Sequence, residues 1–225
     1  MNNFILRKYN LKKLFNHSSN SKYSTINCNR RVVITGIGCV SPLGTNKEQL
    51  FANLKEGKSG IIDLKDKSYY KDLPTYCKLG APIINSYKPK FKTLGTDNLV
   101  TQIALSATRE ALDDANLTEL LLKKELNPYK IGIITGTSAP SINCIINNSL
   151  RAFAKKDYNY LDRMGMFKIL TNLINYNISS MYNIKGITSA LSLSCASGLN
   201  SVGEGTKSIQ SGEVNVILIY NISLI

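Results

Sequence analysis

Cys195 stands in Ala190-Leu191-Ser192-Leu193-Ser194-Cys195-Ala196-Ser197-Gly198-Leu199, a setting suited to nucleophilic chemistry. The apolar run before it has the character of a strand, and the small residues after it open a helix. The thiol is therefore expected at a strand-to-helix turn, facing the helix N-terminus. Unpaired backbone N–H groups and the positive end of the helix dipole favour a thiolate at such a position. The other reading is a buried structural thiol, the commoner fate of free cysteines. Cys28, Cys39, Cys77 and Cys144 lack this setting and read as structural. The five cysteines show no CxxC or Cys/His spacing, so neither a disulfide framework nor a zinc site is expected, and no cofactor is implied.

The elements that would position Cys195 can be followed along the chain. Arg31 to Thr35 is a β-branched run ended by Gly36 and Gly38, as expected of a buried strand feeding a glycine turn. Ser41-Pro42-Leu43-Gly44 punctuates, and Asn46 to Gly57 predicts a helix with Leu50, Phe51 and Leu54 on its apolar face. Ser59 to Pro89 reads as irregular, with room for a short strand. Leu99 to Ala115 predicts a long helix, Ile131 to Thr135 a second strand stopped at Gly136, and Ser141 to Lys155 and Met166 to Tyr176 two further helices before a turn at Asn183 to Gly186. Val214 to Tyr220 is the last clear strand.

Strands apolar on both faces, alternating with helices, indicate an α/β protein with a mostly parallel sheet covered on both sides. In the helix after Cys195, Gly198, Gly203 and Gly205 each cost about 1 kcal/mol relative to alanine, which close packing between layers would offset. Gly36-Ile37-Gly38 lacks the third glycine of a dinucleotide fingerprint and no Walker lysine follows, so a structural role is expected.

The chain of 225 residues, 43% hydrophobic, can build a core, and no apolar run approaches the roughly 20 residues of a membrane span. The net charge of +13 does not point to nucleic acid: seven of the 28 basic residues lie between Met1 and Arg31, before the first acid at Glu48. The rest are dispersed without an aromatic-interleaved basic patch. Residues 1–30 are expected to be a mitochondrial transit peptide or a disordered basic tail. They are rich in Ser and Asn, free of acid, and amphipathic where Phe4, Leu11 and Phe15 alternate with Lys8, Lys12 and Lys13. Cleavage near Tyr23 and Ser24 fits the first reading.

Several stretches together carry a resemblance: Arg31 to Gly38 with Ser41-Pro42-Leu43-Gly44; Phe51 to Ile61; Lys168-Ile169-Leu170-Thr171-Asn172; and Leu193-Ser194-Cys195-Ala196-Ser197-Gly198 through Gly212-Glu213-Val214-Asn215-Val216. In this order they resemble the N-terminal half of a β-ketoacyl-[acyl carrier protein] synthase of mitochondrial type, in the thiolase superfamily. The resemblance implies the N-terminal half of a thiolase-like layered fold over residues 31–225, with Cys195 as the acyl acceptor. It further implies decarboxylative condensation with a malonyl-carrier protein in fatty acid biosynthesis, an acyl carrier protein as partner, a homodimer, and a place in the mitochondrial matrix. The Cys195 N–H would form part of an oxyanion hole, and Ile145 would line the acyl-chain pocket. A thiolase acting on acyl-coenzyme A shares the cysteine turn, but Ser41 to Gly44 and Lys168 to Asn172 favour the carrier-protein enzymes.

Departures qualify what the resemblance implies. The family's two histidines and supporting lysine follow the last residue here, and His17 is the single histidine. Gly186-Ile187 stands where Gly-Pro is usual, Met166-Phe167 replaces a proline-containing turn, and Asn221-Ile222-Ser223-Leu224-Ile225 stands for a glycine-rich segment. The sequence thus reads as a truncated domain with one face of the nucleophile helix uncovered. A catalytically inactive remnant or interaction fragment is the alternative function.

Overall fold

In the computed structural model, residues 2–9, 30–65, 76–83, 91, 99–137, 142–162 and 165–222 are described. In chain order their elements are strands β1 (Asn2–Tyr9) and β2 (Arg31–Cys39), helix α1 (Lys47–Lys55), two short strands β3 (Ile62–Asp63) and β4 (Leu79–Gly80), and helices α2 (Leu99–Asp114) and α3 (Thr118–Leu122). Strand β5 (Ile131–Thr137) follows, then helices α4 (Ile142–Lys155), α5 (Gly165–Ile169) and α6 (Leu173–Tyr182), strand β6 (Thr188–Leu191), helix α7 (Ser197–Gln210) and strand β7 (Val216–Ile222).

The main sheet has the order β2-β1-β7-β5-β6. β7 and β6 both run parallel to β5, whereas β1 runs antiparallel to both its neighbours. Period-two alternation along β5 and β7 divides the core between two faces. Ile131, Ile133, Leu218, Tyr220 and Ile222 pack in the larger cluster with α2 and α6, through residues such as Leu105, Leu112, Ile174 and Ile178. Ile134, Ile217 and Ile219 point the other way, toward Ile209 and Val202 of α7. The α/β reading with helices on both faces of a mostly parallel sheet therefore holds.

The glycines of β2 do something other than make a turn. The strand runs through Gly36 and Gly38 to Cys39, because a Cβ on Gly36 would lie 2.9 Å from the Ala115 Cβ and one on Gly38 would lie 2.8 Å from the Ala111 nitrogen. They let the backbone of α2 lie directly on the strand. β2 ends the sheet, and Ile34 and Ile37 are exposed, so this strand is not buried on both faces. Its outer backbone is covered by carboxylates of α2: Glu110 accepts the N–H of Cys39 at 2.9 Å and that of Lys47 at 2.7 Å, and Asp114 accepts the N–H of Ile37 at 2.9 Å. Two N–H groups at the end of the edge strand are thereby satisfied.

Lys47 pairs with Asp114, and its hydrogen bond holds the Asp114 carboxyl below the usual carboxylate range. That contribution to stability is present above the ordinary carboxylate pKa and is lost as pH falls through the lowered value. Burial pushes Glu110 the opposite way, above its ordinary value.

Other expectations hold in part. α1 is capped by Asn46, whose side chain accepts the Gln49 N–H at 2.8 Å, and Gly57 follows it at φ +67°, but Phe51 and Leu54 are exposed. The helix expected over Met166 to Tyr176 is broken into α5 and α6 by a turn at Thr171-Asn172, residue types that compete with the helical backbone. Asn183, at φ 53°, closes α6 in the left-handed conformation. β3 and β4 pair as the short-strand content of the region after Ser59. Asn2–Tyr9 lies in the sheet, while residues 10–29, with His17 and Cys28, lie outside the described residues. No described helix is long and apolar enough to cross a membrane.

Replacing Glu110 by leucine should lower the unfolding free energy by about 2 kcal/mol, because two backbone N–H groups lose their acceptor. Urea denaturation of the two proteins checks this; a change within about 0.5 kcal/mol would show that the carboxylate clamp contributes nothing.

Candidate active site

β6 leads into the turn that carries Cys195 and is itself fixed by one buried amide. Asn175 of α6 donates from Nδ2 to the Ser189 carbonyl at 2.8 Å and accepts a hydrogen bond from the Thr135 hydroxyl on β5. Helix, inner strand and edge strand are tied together a few residues before Cys195. Sequence reasoning missed Asn175, since one asparagine in an Asn-rich chain carries no periodic signal.

After β6 the backbone makes a single 3₁₀ turn, Ser194–Ala196, which runs straight into α7. Cys195 sits in this turn, exposed, at the strand-to-helix junction expected from the sequence. Ser194 has φ +50°, a left-handed conformation that a non-glycine residue adopts at a cost of order 1 kcal/mol. Ser197 holds it there: its Oγ accepts the Leu193 N–H at 2.8 Å and donates to the Ser194 carbonyl at 2.7 Å. Neither serine was identified from sequence, because a serine at φ > 0 leaves no compositional mark.

The first turn of α7 is pressed onto the ends of two strands. A Cβ on Gly136 of β5 would lie 2.6 Å from the Ser197 carbonyl carbon, and one on Gly198 would lie 2.6 Å from Cγ of Asn221 on β7. The expectation that β5 stops at Gly136 is thus corrected: the strand runs to Thr137, and the glycine admits the helix. Farther along, Gly205 packs on Ile217 and Ile219, and Ser201 donates to the Gly198 carbonyl at 2.8 Å. The reading of α7 as packed between layers holds for this side only. A Cβ on Gly203 would meet nothing within 4 Å, and Leu199 is 81% exposed.

Cys39 supplies the contrast. It is buried in β2, and burial pushes its thiol up to about 11. Cys77 is exposed but belongs to no helix terminus. Ile145 lies in the first turn of α4; its side chain, like that of Cys144, falls outside the described residues. The structure therefore does not bring Ile145 to Cys195 or separate them. Among the described residues no three His, Cys, Asp or Glu side chains gather as metal ligands, and none of these residues is a histidine.

Comparison with known proteins gives this arrangement its context. Residues 29–220 match the family model described as the N-terminal domain of beta-ketoacyl synthase. A 3-oxoacyl-[acyl-carrier-protein] synthase homolog of Saccharomyces cerevisiae is 30% identical over 204 residues, covering 81% of this chain and 46% of the yeast protein. The mitochondrial 3-oxoacyl-[acyl-carrier-protein] synthase of Arabidopsis thaliana is 30% identical over 216 residues, with 88% of this chain and 46% of the plant protein covered. The solved ishigamide ketosynthase/chain length factor superposes with a TM-score of 0.67 at 26% identity, covering 80% of this chain and 44% of that one. The chain spans about half the length of the curated relatives it matches.

The thiols should differ in reactivity as their settings differ. Burial holds the Cys39 thiol above its ordinary pKa, so at pH 8 it is largely protonated. Brief alkylation of the folded chain followed by peptide mass spectrometry should modify Cys195 at least about tenfold faster than Cys39. Equal rates would show that the turn does not present its thiol as described.

Proposed function

The chain belongs to the β-ketoacyl synthase family, through that family's N-terminal domain, and we propose that it supplies the acyl-accepting half of a 3-oxoacyl-[acyl-carrier-protein] synthase of fatty acid biosynthesis. The observation that carries this reading is the exposed Cys195 at the head of α7, on a turn fixed by Ser197 and by contact with β5 and β7. The site's geometry suits transfer between thioesters. The Cys195 thiolate attacks the carbonyl carbon of an acyl thioester on the carrier, and the Cys195 backbone N–H is proposed to supply part of the oxyanion hole that meets the developing charge. Collapse of the tetrahedral intermediate breaks the bond to the carrier sulfur. The carrier leaves as its thiol once protonated, and the acyl group stays on Sγ.

In the whole protein, condensation would follow: a malonyl-carrier protein loses carbon dioxide, and the resulting carbanion attacks the Cys195 thioester. No donor for the malonyl carbonyl is assigned to the described residues, which include no histidine. Ile145 is proposed to line the acyl pocket, and an acyl carrier protein to deliver both substrates. A homodimer is favoured by the position of β6, which ends the sheet among the described residues beside the turn that carries Cys195. The relatives that carry the name mitochondrial, together with the basic acid-free start of the chain, support a place in the mitochondrial matrix.

Incubation with an acyl-carrier protein, followed by intact-mass measurement, should give one acyl adduct per chain. The adduct should disappear in Cys195→Ala and persist in Cys77→Ala. Absence of the adduct, or its persistence in Cys195→Ala, would contradict the assignment.

A further inference from the structure

β6 has four residues, and its ladder with β5 runs from Ile133 opposite Thr188 to Gly136 opposite Leu191. Two paired strands are marginally stable by themselves, so what packs on the faces of β6 decides where it sits. On the α7 side Ile187, just before the strand, and Leu191 pack against the cluster of Ile134, Ile209 and Ile217. On the α6 side no described residue of β6 joins the larger cluster, and Thr188 is exposed. A hydrogen bond from Asn175 of α6 stands there instead. We propose that Asn175 is a positioning residue for Cys195, its carboxamide fixing the strand from which the chain enters the turn that carries the thiol. This inference deepens the proposed acyl-acceptor role of Cys195 and rests on it.

The carboxamide has one orientation that serves. Asn175 is 1% exposed, and an amide buried to that extent must be paired. The Ser189 carbonyl can only accept, so it takes Nδ2, at 2.8 Å. Oδ1 is thereby turned to the Thr135 hydroxyl, which donates to it. Thr135 is itself fully buried and stands opposite Ala190 in the ladder, next to the residue whose carbonyl is bonded. Helix, inner strand and edge strand meet in three groups, and the hydroxyl of Thr135 holds the amide so that the amide can hold β6.

The path from that bond to the thiol is short. Ala190, Leu191, Ser192 and Leu193 lead from Ser189 to Ser194, and the far end of this stretch is fixed by Ser197, whose Oγ accepts the Leu193 N–H at 2.8 Å. The chain before Cys195 is therefore anchored twice, at Ser189 from α6 and at Leu193 from α7. Release of the first anchor lets β6 shift against β5 and carries Ser194, with its left-handed backbone, along with it. The head of α7 stays where β5 and β7 hold it. A thiolate gains from a helix start only within its first turn, so a displaced turn presents a less reactive thiol.

The test uses the full chain and methyl methanethiosulfonate, with the ratio of the Cys195 to the Cys77 modification rate read by peptide mass spectrometry. Cys77 is exposed and reports reagent and general loosening in the same molecule. Asn175→Leu removes both bonds, and Thr135→Val removes the hydroxyl at nearly constant size; each should lower the ratio at least about fivefold. The double variant should be no lower than Asn175→Leu, because Thr135 acts through Asn175. Thr108→Val is the control: Thr108 is equally buried, but its hydroxyl bonds the Ala104 carbonyl of its own helix at 2.6 Å. It should lower the melting temperature and leave the ratio within about twofold. If Asn175→Leu does not fold, Thr135→Val against Thr108→Val decides. An unchanged ratio in the folded variants, an equal fall in Thr108→Val, or an additive double variant would overturn the proposal. The ratio calls on no acyl transfer, so a chain that takes no acyl group from a carrier would contradict the proposed function alone.

Discussion

The approach of the first turn of α7 to the ends of β5 and β7 is the contact on which the rest of the site depends. A helix start can be brought this close to β5 only because Gly136 carries no side chain, and Gly198 on the helix makes room for the Asn221 side chain of β7. What the contact secures is the position of the turn before it. Ser194 sits in a conformation that isolated peptides avoid, and the Ser197 hydroxyl, itself buried, bonds to both ends of the distortion. Strain of this kind persists only where the surroundings over-determine it. Here the surroundings are a helix that cannot slide away because its own first turn is wedged on two strands.

The sheet gives that wedge something rigid to press against. Its two central parallel strands are packed on both faces, and at the end of the β2 edge Glu110 and Asp114 accept the N–H groups of Cys39 and Ile37. Carboxylates serve there because an edge strand needs acceptors for its outward N–H groups, and two from one helix reach alternate residues of the strand. The far edge, β6, has no such cover among the described residues and lies next to Cys195. Packing thus divides the molecule: the α2 and α6 side carries most of the core, while on the α7 side Leu199 and Gly203 lie uncovered among the described residues.

Much of this was legible in the sequence because it is written in periodicity. β5, β7, α2 and α4 follow directly from apolar spacing, and Cys195 from the change of pattern at its strand-to-helix junction. What was misread follows one rule. Gly36, Gly38 and Gly136 look like turn residues because glycine is most often a turn residue, yet here each marks a backbone-to-backbone approach whose partner, α2 or α7, is distant in sequence. Asn175, Ser194 and Ser197 were missed for a related reason: their roles lie in hydrogen bonds across elements, which single-residue identity does not encode. The interior place of Asn2–Tyr9 was hidden because its apolar residues Phe4, Ile5 and Leu6 form one short run without alternation, inside a basic, acid-free segment.

The measurement that bears most directly on the site is the rate at which Cys195 takes up an acyl group or an alkylating agent in Gly136→Ala. A methyl group there collides with the Ser197 backbone, so the helix must shift and the turn lose its fixed geometry. If the wedge positions Cys195, the rate should fall at least about tenfold while the protein still melts cooperatively, as expected for a displacement confined to the turn. An unchanged rate with the methyl group accommodated would contradict the claim that backbone contact at the head of α7 is what holds Cys195 in place.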